Sequence, residues 1–172
     1  LPLPWTLALC FSGWFFIQSG AAWLCFRMPD RWFKPNQFPF RATRWEANGR
    51  LYAFLRVQRW KRWLPDGAAA VKGGYRKKKL TDFSERNLER FVIESCRGEL
   101  THLLAMLPFW VFGFIGPPAI LWLMLAYALA VNVPCIIAQR YNRPRVLSLL
   151  RLYREKAKAL STDQAESTSS IR

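Results

Sequence analysis

Charged and apolar positions are segregated along the chain. Residues 1–26 carry no Asp, Glu, Lys or Arg, and neither do residues 103–138; every charged residue lies in 27–102 or 139–172. An ordinary soluble domain interleaves charge with apolar residues on each element, so this blocking points to a membrane protein. Leu3 to Phe26 is 24 uncharged residues rich in Trp, Phe and Leu, and about 20 suffice to cross a bilayer core. A signal peptide has a basic start, a shorter apolar run and a small-residue cleavage site. This segment lacks the basic start, and Arg27, Arg31 and Lys34 follow it, so it reads as a retained membrane helix. Residues 103–138 as one helix would measure roughly 54 Å, against a core of about 30 Å. Gly116-Pro117-Pro118 interrupts them, because both rings remove backbone donors and Pro118 restricts Pro117. The pattern predicts a helical hairpin with spans at about 103–115 and 119–138. A single kinked span plus an interfacial helix is the alternative.

The middle block is polar but patterned. Arg27 to Phe40 alternates basic, aromatic and proline residues and predicts an interfacial loop, as an anchor or a substrate-access rim. Arg44 to Leu64 has helical spacing, with Leu51, Phe54, Leu55 and Val57 interleaved with Arg50, Arg56, Arg59, Lys61 and Arg62. A basic amphipathic helix with Trp60 and Trp63 near its end suits an anionic membrane surface. Pro65-Asp66-Gly67 stops it. Ser84 before Glu85 predicts a helix start, and that helix can run from about 85 to 115, amphipathic first and membrane-embedded later. Tyr141 to Lys158 is a further basic helix, and residues 161–172 form a polar tail expected to be disordered. The expected architecture is therefore an all-α membrane protein. Residues 1–160 form a single integral membrane domain of about three spans (3–26, 103–115 and 119–138), with basic amphipathic interfacial helices.

Composition sharpens this picture. The 172 residues hold 26 Lys+Arg against 11 Asp+Glu, a formal charge of +15, yet 52% are hydrophobic. Residues 27–102 hold 18 of the cations and residues 139–172 the other 8. A hairpin puts both blocks on one side, and positive-inside bias makes that side cytoplasmic, with the C-terminus. The run Arg76 to Lys79 attracts anionic lipid or contacts a phosphate-bearing ligand. Nucleic acid is not expected as a partner, because a basic face beside membrane helices needs none. Four cysteines without a CxxC pair, and a single histidine, form no zinc pattern and no disulfide framework.

The chemistry-bearing residues gather where charge stops. In ESCRGELTH (94–102), a 100° advance per residue puts Glu94, Arg97, Gly98 and Thr101 in one sector, with Glu99 and His102 at its borders. Ionisable groups at a membrane boundary point to function. His102 suits a general base, Glu99 could fix its tautomer, and Arg97 could pair with Glu94 or hold a phosphate or oxyanion. A set of i,i+3 and i,i+4 ion pairs at a helix entrance is the other reading, and residue chemistry alone leaves both open. Glu99-x-x-His102 is half of a di-iron ligand unit, but with one histidine in the chain no metal is expected. Cys96 falls on the apolar side, where a thiol is inert. A second cluster, Gln139 to Arg145, follows the last span, and its residues Asn142, Arg143 and Arg145 are expected to meet the first.

KRWLPDG (61–67), KGGYRKKKL (72–80), ESCRGELTH (94–102) and YNRPRVL (141–147), after an N-terminal span, resemble the glycosyl-4,4'-diaponeurosporenoate acyltransferase family of small bacterial membrane proteins. The resemblance covers about 55–150 and places His102, Glu94, Arg97, Glu99, Asn142 and Arg145 at family positions. It implies transfer of a fatty acyl group onto a hydroxyl of a glycosylated carotenoid, in the bacterial inner membrane.

The expectation is thus a membrane acyltransferase with catalytic residues His102, Glu99, Glu94 and Arg97. Asn142, Arg143, Arg145, Trp60, Lys61, Lys77, Lys78 and Lys79 would bind substrate. No cofactor is expected beyond an acyl thioester co-substrate. The partners would be the lipid bilayer, a lipid-like acceptor and the acyl donor, and so short a chain allows a homo-oligomer. The rival readings are a non-catalytic membrane adaptor that binds anionic lipid or a partner, and another small membrane transferase such as a methyltransferase.

Overall fold

A computed structural model describes residues 2–47, 50–64 and 83–169. Among them the chain is helical, with no strand. Helix α1 is Leu3–Arg27. Short helical pieces follow, α2 (Arg44–Ala47), α3 (Arg50–Phe54) and α4 (Val57–Trp60), and α4 leads into a 3-10 turn at Lys61–Trp63. Helix α5 is Glu85–Met106 and continues as a 3-10 segment, Leu107–Phe114; helix α6 is Pro118–Ser169.

Helix α5 begins where the sequence predicts, after Ser84 in an extended conformation. It changes to 3-10 geometry at Pro108, whose φ/ψ of −84°, 20° is not helical and whose ring removes the donor that an α-helix needs. The chain reverses at Gly116-Pro117, and Pro118 opens α6, where a missing N–H is harmless. The predicted hairpin therefore forms, but its first arm differs from expectation. Residues 103–115 are not a helix of span length; they are the last turn of α5 and a 3-10 segment. By length and composition, α1 and the stretch Pro118–Thr162 of α6 are the two described helices able to cross a membrane.

The amphipathic helix predicted over 44–64 is broken. Arg56 takes a left-handed conformation (φ 47°) between α3 and α4. That kink turns Tyr52 and Val57 inward against Tyr141 of α6, and Trp60 Nε1 donates to the Leu55 carbonyl at 2.8 Å. Burying aromatic surface on α6 outweighs a continuous helix. Helix α6 continues to Ser169. Nothing between Ala157 and Ser169 is Gly or Pro, so no residue there stops an established helix.

Two apolar seams hold α5 and α6 together and seat α1. Near the hairpin turn, Cys10 and Trp14 of α1 pack on Phe112, Ile120, Met124 and Ala128. Gly13 permits that approach: a Cβ there would stand 3.2 Å from the Phe112 ring. At the opposite end, Leu88, Phe91 and Val92 of α5 meet Val146 and Leu150 of α6. The outward faces of α1 and α6 stay apolar. Trp5, Phe15, Phe16 and Trp122 are each at least two-thirds exposed, which separates these helices from the buried core helix of a soluble protein.

Candidate active site

The polar face predicted on α5 is divided between two neighbours. Glu99 and Arg97 stand about 160° apart on the helix, so one faces α6 while the other faces the end of α1.

Arg97 closes α1. Its Nη1 donates to the carbonyls of Cys25 (2.5 Å) and Met28 (3.0 Å), and Nη2 to Asp30. Its guanidinium lies 4.4 Å from the Phe33 ring centroid, and its Nε is 3.4 Å from the Glu94 carboxylate. These carbonyls lie at the C-terminal end of α1, where Cys25 also accepts from the Met28 N–H at 3.3 Å and a cation is favourable. Arg97 and Glu94 thus anchor α5 to α1, away from His102.

Glu99 is fully buried. Arg140 Nε donates to its Oε1 at 2.6 Å, and Arg143 Nη2 to its Oε2. Arg143 is buried as well and also donates to the Phe40 carbonyl at 2.9 Å. Arg140 continues outward to Glu46 at 2.9 Å and to the Pro39 carbonyl at 2.6 Å. Burial alone would raise the Glu46 carboxyl. Donors from Thr43, Tyr52 and Arg140 outweigh it and hold the carboxyl at about 2. The result is a chain of alternating charges, Glu46–Arg140–Glu99–Arg143, that ties the loop after α1 to the α5–α6 pair. Both carboxylate oxygens of Glu99 are committed to it. The convergence of the two predicted clusters is real at this level: Arg143 meets Glu99.

His102 finds a different partner. Its Nδ1 lies 2.9 Å from Asn132 Oδ1. Asn132 is fully buried, and its Nδ2 donates to the Ala128 carbonyl at 3.0 Å, which fixes which way the amide points. The same Oδ1 accepts from Gln18 Nε2 of α1 at 3.1 Å. An amide oxygen accepts but cannot donate. Nδ1 therefore carries the proton, and the neutral ring has its lone pair on Nε2. Three helices contribute one polar group each to this knot. It sits about 12 Å along α6 from Arg140 and about 13 Å along α1 from Arg27. Sequence reasoning missed Gln18 and Asn132 because it followed charge. The available signal was that they are the sole carboxamides in the two charge-free stretches.

Beside the knot, an apolar groove of about 280 Å³ runs between α5 and α6, lined by Leu103, Met106, Phe109, Leu125 and Leu129 among others. Two residues beyond Arg140, Lys61 Nζ donates to Asn142 Oδ1 at 2.8 Å. It also stands 4.6 Å from the Tyr141 ring centroid, over which Arg145 lies at 3.6 Å. Trp60 is half-buried beside this group, packed with Tyr52, Val57 and Tyr141. The structure therefore groups Lys61, Asn142 and Arg145, and separates them from His102. Lys77, Lys78 and Lys79 lie outside the described residues.

A family model described as glycosyl-4,4'-diaponeurosporenoate acyltransferase matches residues 29–152. Curated proteins of that name from Staphylococcus aureus are similar over 152 residues, 88% of this chain and 92% of theirs. The strain Newman protein is 33% identical and the strain bovine RF122 / ET3-1 protein 32%. No solved structure matches.

Proposed function

The chain belongs to the glycosyl-4,4'-diaponeurosporenoate acyltransferase family and is an acyltransferase; from that premise we propose that it works within the membrane, moving a fatty acyl group from a thioester onto a sugar hydroxyl of a glycosylated carotenoid. The observation that carries this reading is the His102–Asn132 contact. A histidine held by a neutral amide inside an apolar layer has no structural need to be there, and polar groups at such depth mark function.

In this reading α1 and α6 cross the bilayer. The charge-free part of α6, Pro118 to Ala138, measures about 31 Å and matches the core. The end of α5 and the 3-10 segment pack along it as a third arm. Both basic blocks then lie on the cytoplasmic side, and the exposed Trp and Phe side chains of α1 and α6 meet lipid. The hydrocarbon of a substrate lies in the groove beside Leu103, and its reacting end reaches His102.

The chemistry is direct transfer. His102 Nε2 takes the proton of the sugar hydroxyl as its oxygen attacks the thioester carbonyl. The tetrahedral adduct collapses to the ester, the carbon–sulfur bond breaks, and the imidazolium returns the proton to the departing thiolate. Asn132 holds Nδ1–H throughout and keeps the base in the productive tautomer. No acyl-enzyme is needed: Cys96 is fully buried in an apolar cluster with Phe33 and Phe40.

The test is product formation. The protein and His102→Ala are expressed at equal, folded membrane levels in a host that makes the glycosylated pigment, and lipid extracts are compared by mass spectrometry. A species heavier by one fatty acyl group, absent from the variant, is expected. Identical profiles with and without His102 would refute the proposal; a methyl-sized shift would point to a different transferase.

A further inference from the structure

Four cations of α5 and α6 are matched by carboxylates. Arg97 has Asp30 and Glu94, Arg140 has Glu46 and Glu99, Arg143 has Glu99, and Arg154 has Glu85 and Glu89. Lys61 and Arg145 are not matched in this way: among the described residues neither makes an ion pair. They nevertheless converge. Their distances to the Tyr141 ring centroid add to 8.2 Å, which bounds the separation of ammonium nitrogen and guanidinium carbon. Each uses one donor on the protein, Lys61 to Asn142 Oδ1 and Arg145 Nη1 to the Tyr141 carbonyl at 2.7 Å. Burial, and then the Arg145 charge, push the Lys61 ammonium below its ordinary value. Among the described residues no carboxylate pairs with the group, and Arg145 is exposed at its mouth.

We propose that Lys61, Asn142 and Arg145 form an anion seat for the phosphate end of a pantetheine-type thioester, the acyl donor of the reaction assigned above. The inference rests on that reaction for the thioester and on the seat's own geometry for the phosphate. Distance supports the pairing. Asn132, which holds His102, and Asn142 are ten residues apart on α6, a rise of about 15 Å. A phosphopantetheine arm has about thirteen bonds from phosphorus to sulfur. At the ~1.2 Å per bond of an extended backbone it also covers about 15 Å. A phosphate held at Asn142 therefore delivers the thioester carbonyl to the level of His102. The seat lies about 80° around α6 from Asn132, so the arm crosses the α5–α6 junction obliquely on its way inward. A phosphate offers three acceptor oxygens, enough for donors from both cations at once.

The test separates binding from catalysis. The purified full chain in neutral phosphatidylcholine nanodiscs is titrated calorimetrically with coenzyme A, which carries the phosphates and the arm but no acyl group. Saturable binding is expected, weakened about 10-fold or more by Lys61→Gln or Arg145→Gln, as loss of a charge-assisted hydrogen bond predicts. Arg151→Gln, at an exposed position on α6, is expected to leave binding unchanged. Pantetheine without phosphate is expected to bind far more weakly than 4'-phosphopantetheine. Lys61→Arg and Arg145→Lys keep the charges and serve if the glutamine variants fail to fold. Equal affinity for pantetheine and phosphopantetheine, or equal coenzyme A affinity in the variants, overturns the seat. So does displacement of coenzyme A by a small fraction of phosphatidylglycerol, which would make the site a lipid headgroup site. If no acyl product is found anywhere, the binding result still stands on its own.

Discussion

The substitution Glu99→Gln separates a structural role from a catalytic one. Glu99 is fully buried and neutralises Arg143, whose side chain is only 4% exposed, while sharing Arg140 with Glu46. Removing its charge leaves the Arg143 guanidinium buried without a counter-ion. Breaking a buried pair in this way costs about 3–5 kcal/mol. For a chain of this size each kcal/mol moves the melting temperature by about 2–4 °C, so a drop of about 6–20 °C is expected. Purified protein in detergent, followed by tryptophan fluorescence on heating, measures it. The double variant Glu99→Gln with Arg143→Met removes the orphaned cation along with its partner, and it is expected to melt above the single variant. The residual folded Glu99→Gln protein is expected to keep its turnover rate within a few-fold, because the Glu99 carboxylate is committed to Arg140 and Arg143. Two outcomes refute this reasoning: a single variant that melts with the native protein, or one that folds normally yet has lost turnover. The second would restore Glu99 as the group that orients His102.

Three further perturbations test neighbouring claims. Asn132→Leu removes the acceptor on His102 Nδ1; it is expected to lower kcat by about 10²-fold or more with little change in KM, and steady-state kinetics with membranes of matched protein content would show it. The Glu46 carboxyl is held at about 2 against an ordinary value of 4.5. A folded-state value below the unfolded one means stabilisation that is full above pH 4.5 and is lost as pH falls toward 2. Melting temperatures across that window are expected to fall less steeply for Glu46→Gln than for the native protein. Gly13→Leu overpacks the α1 contact with Phe112, where even a Cβ would stand 3.2 Å from the ring; a loss of about 1–3 kcal/mol is expected, read as a lower melting temperature, while Gly20→Leu, whose Cβ would meet nothing within 4 Å, is expected to be tolerated.

Much of the architecture was legible because charge placement is a long-range signal. The two apolar stretches, the break at Gly116-Pro117-Pro118 and the start of α5 after Ser84 all follow from composition and backbone chemistry. Local geometry set by tertiary contact was not legible. Helical spacing over 44–64 was present, yet the left-handed Arg56 breaks the helix so that Tyr52 and Val57 can reach Tyr141. Pro108 was visible, but its consequence, a 3-10 segment in place of a third uniform span, depends on how Phe112 packs against Trp14. Within the site, the expected Arg97–Glu94 pair forms, whereas Glu99, expected to orient His102, is committed to Arg140 and Arg143. A helical wheel says which residues share a face, not which neighbouring helix that face meets. Arg97 turned to α1 and Glu99 to α6.

The partner given to His102 follows from its depth. A carboxylate beside the imidazole would orient it more strongly, but at a level about 12 Å along α6 from Arg140 it would need cations of its own. The cations that could serve are the first ones after the span, Arg140 and Arg143, and they lie two or more helical turns away along α6. Glu99 sits where it does because those two guanidinium groups reach its level and pair with it there. One turn deeper no arginine is available, and the chain uses an amide, which orients Nδ1–H without placing a net charge in the apolar layer. Gln18 completes the knot from α1 on the same terms. The charged residues therefore fix how the helices are joined, and the uncharged ones hold His102. A second carboxylate introduced at Asn132 would be expected to lower the yield of folded protein before it altered the chemistry, because nothing at that depth neutralises it.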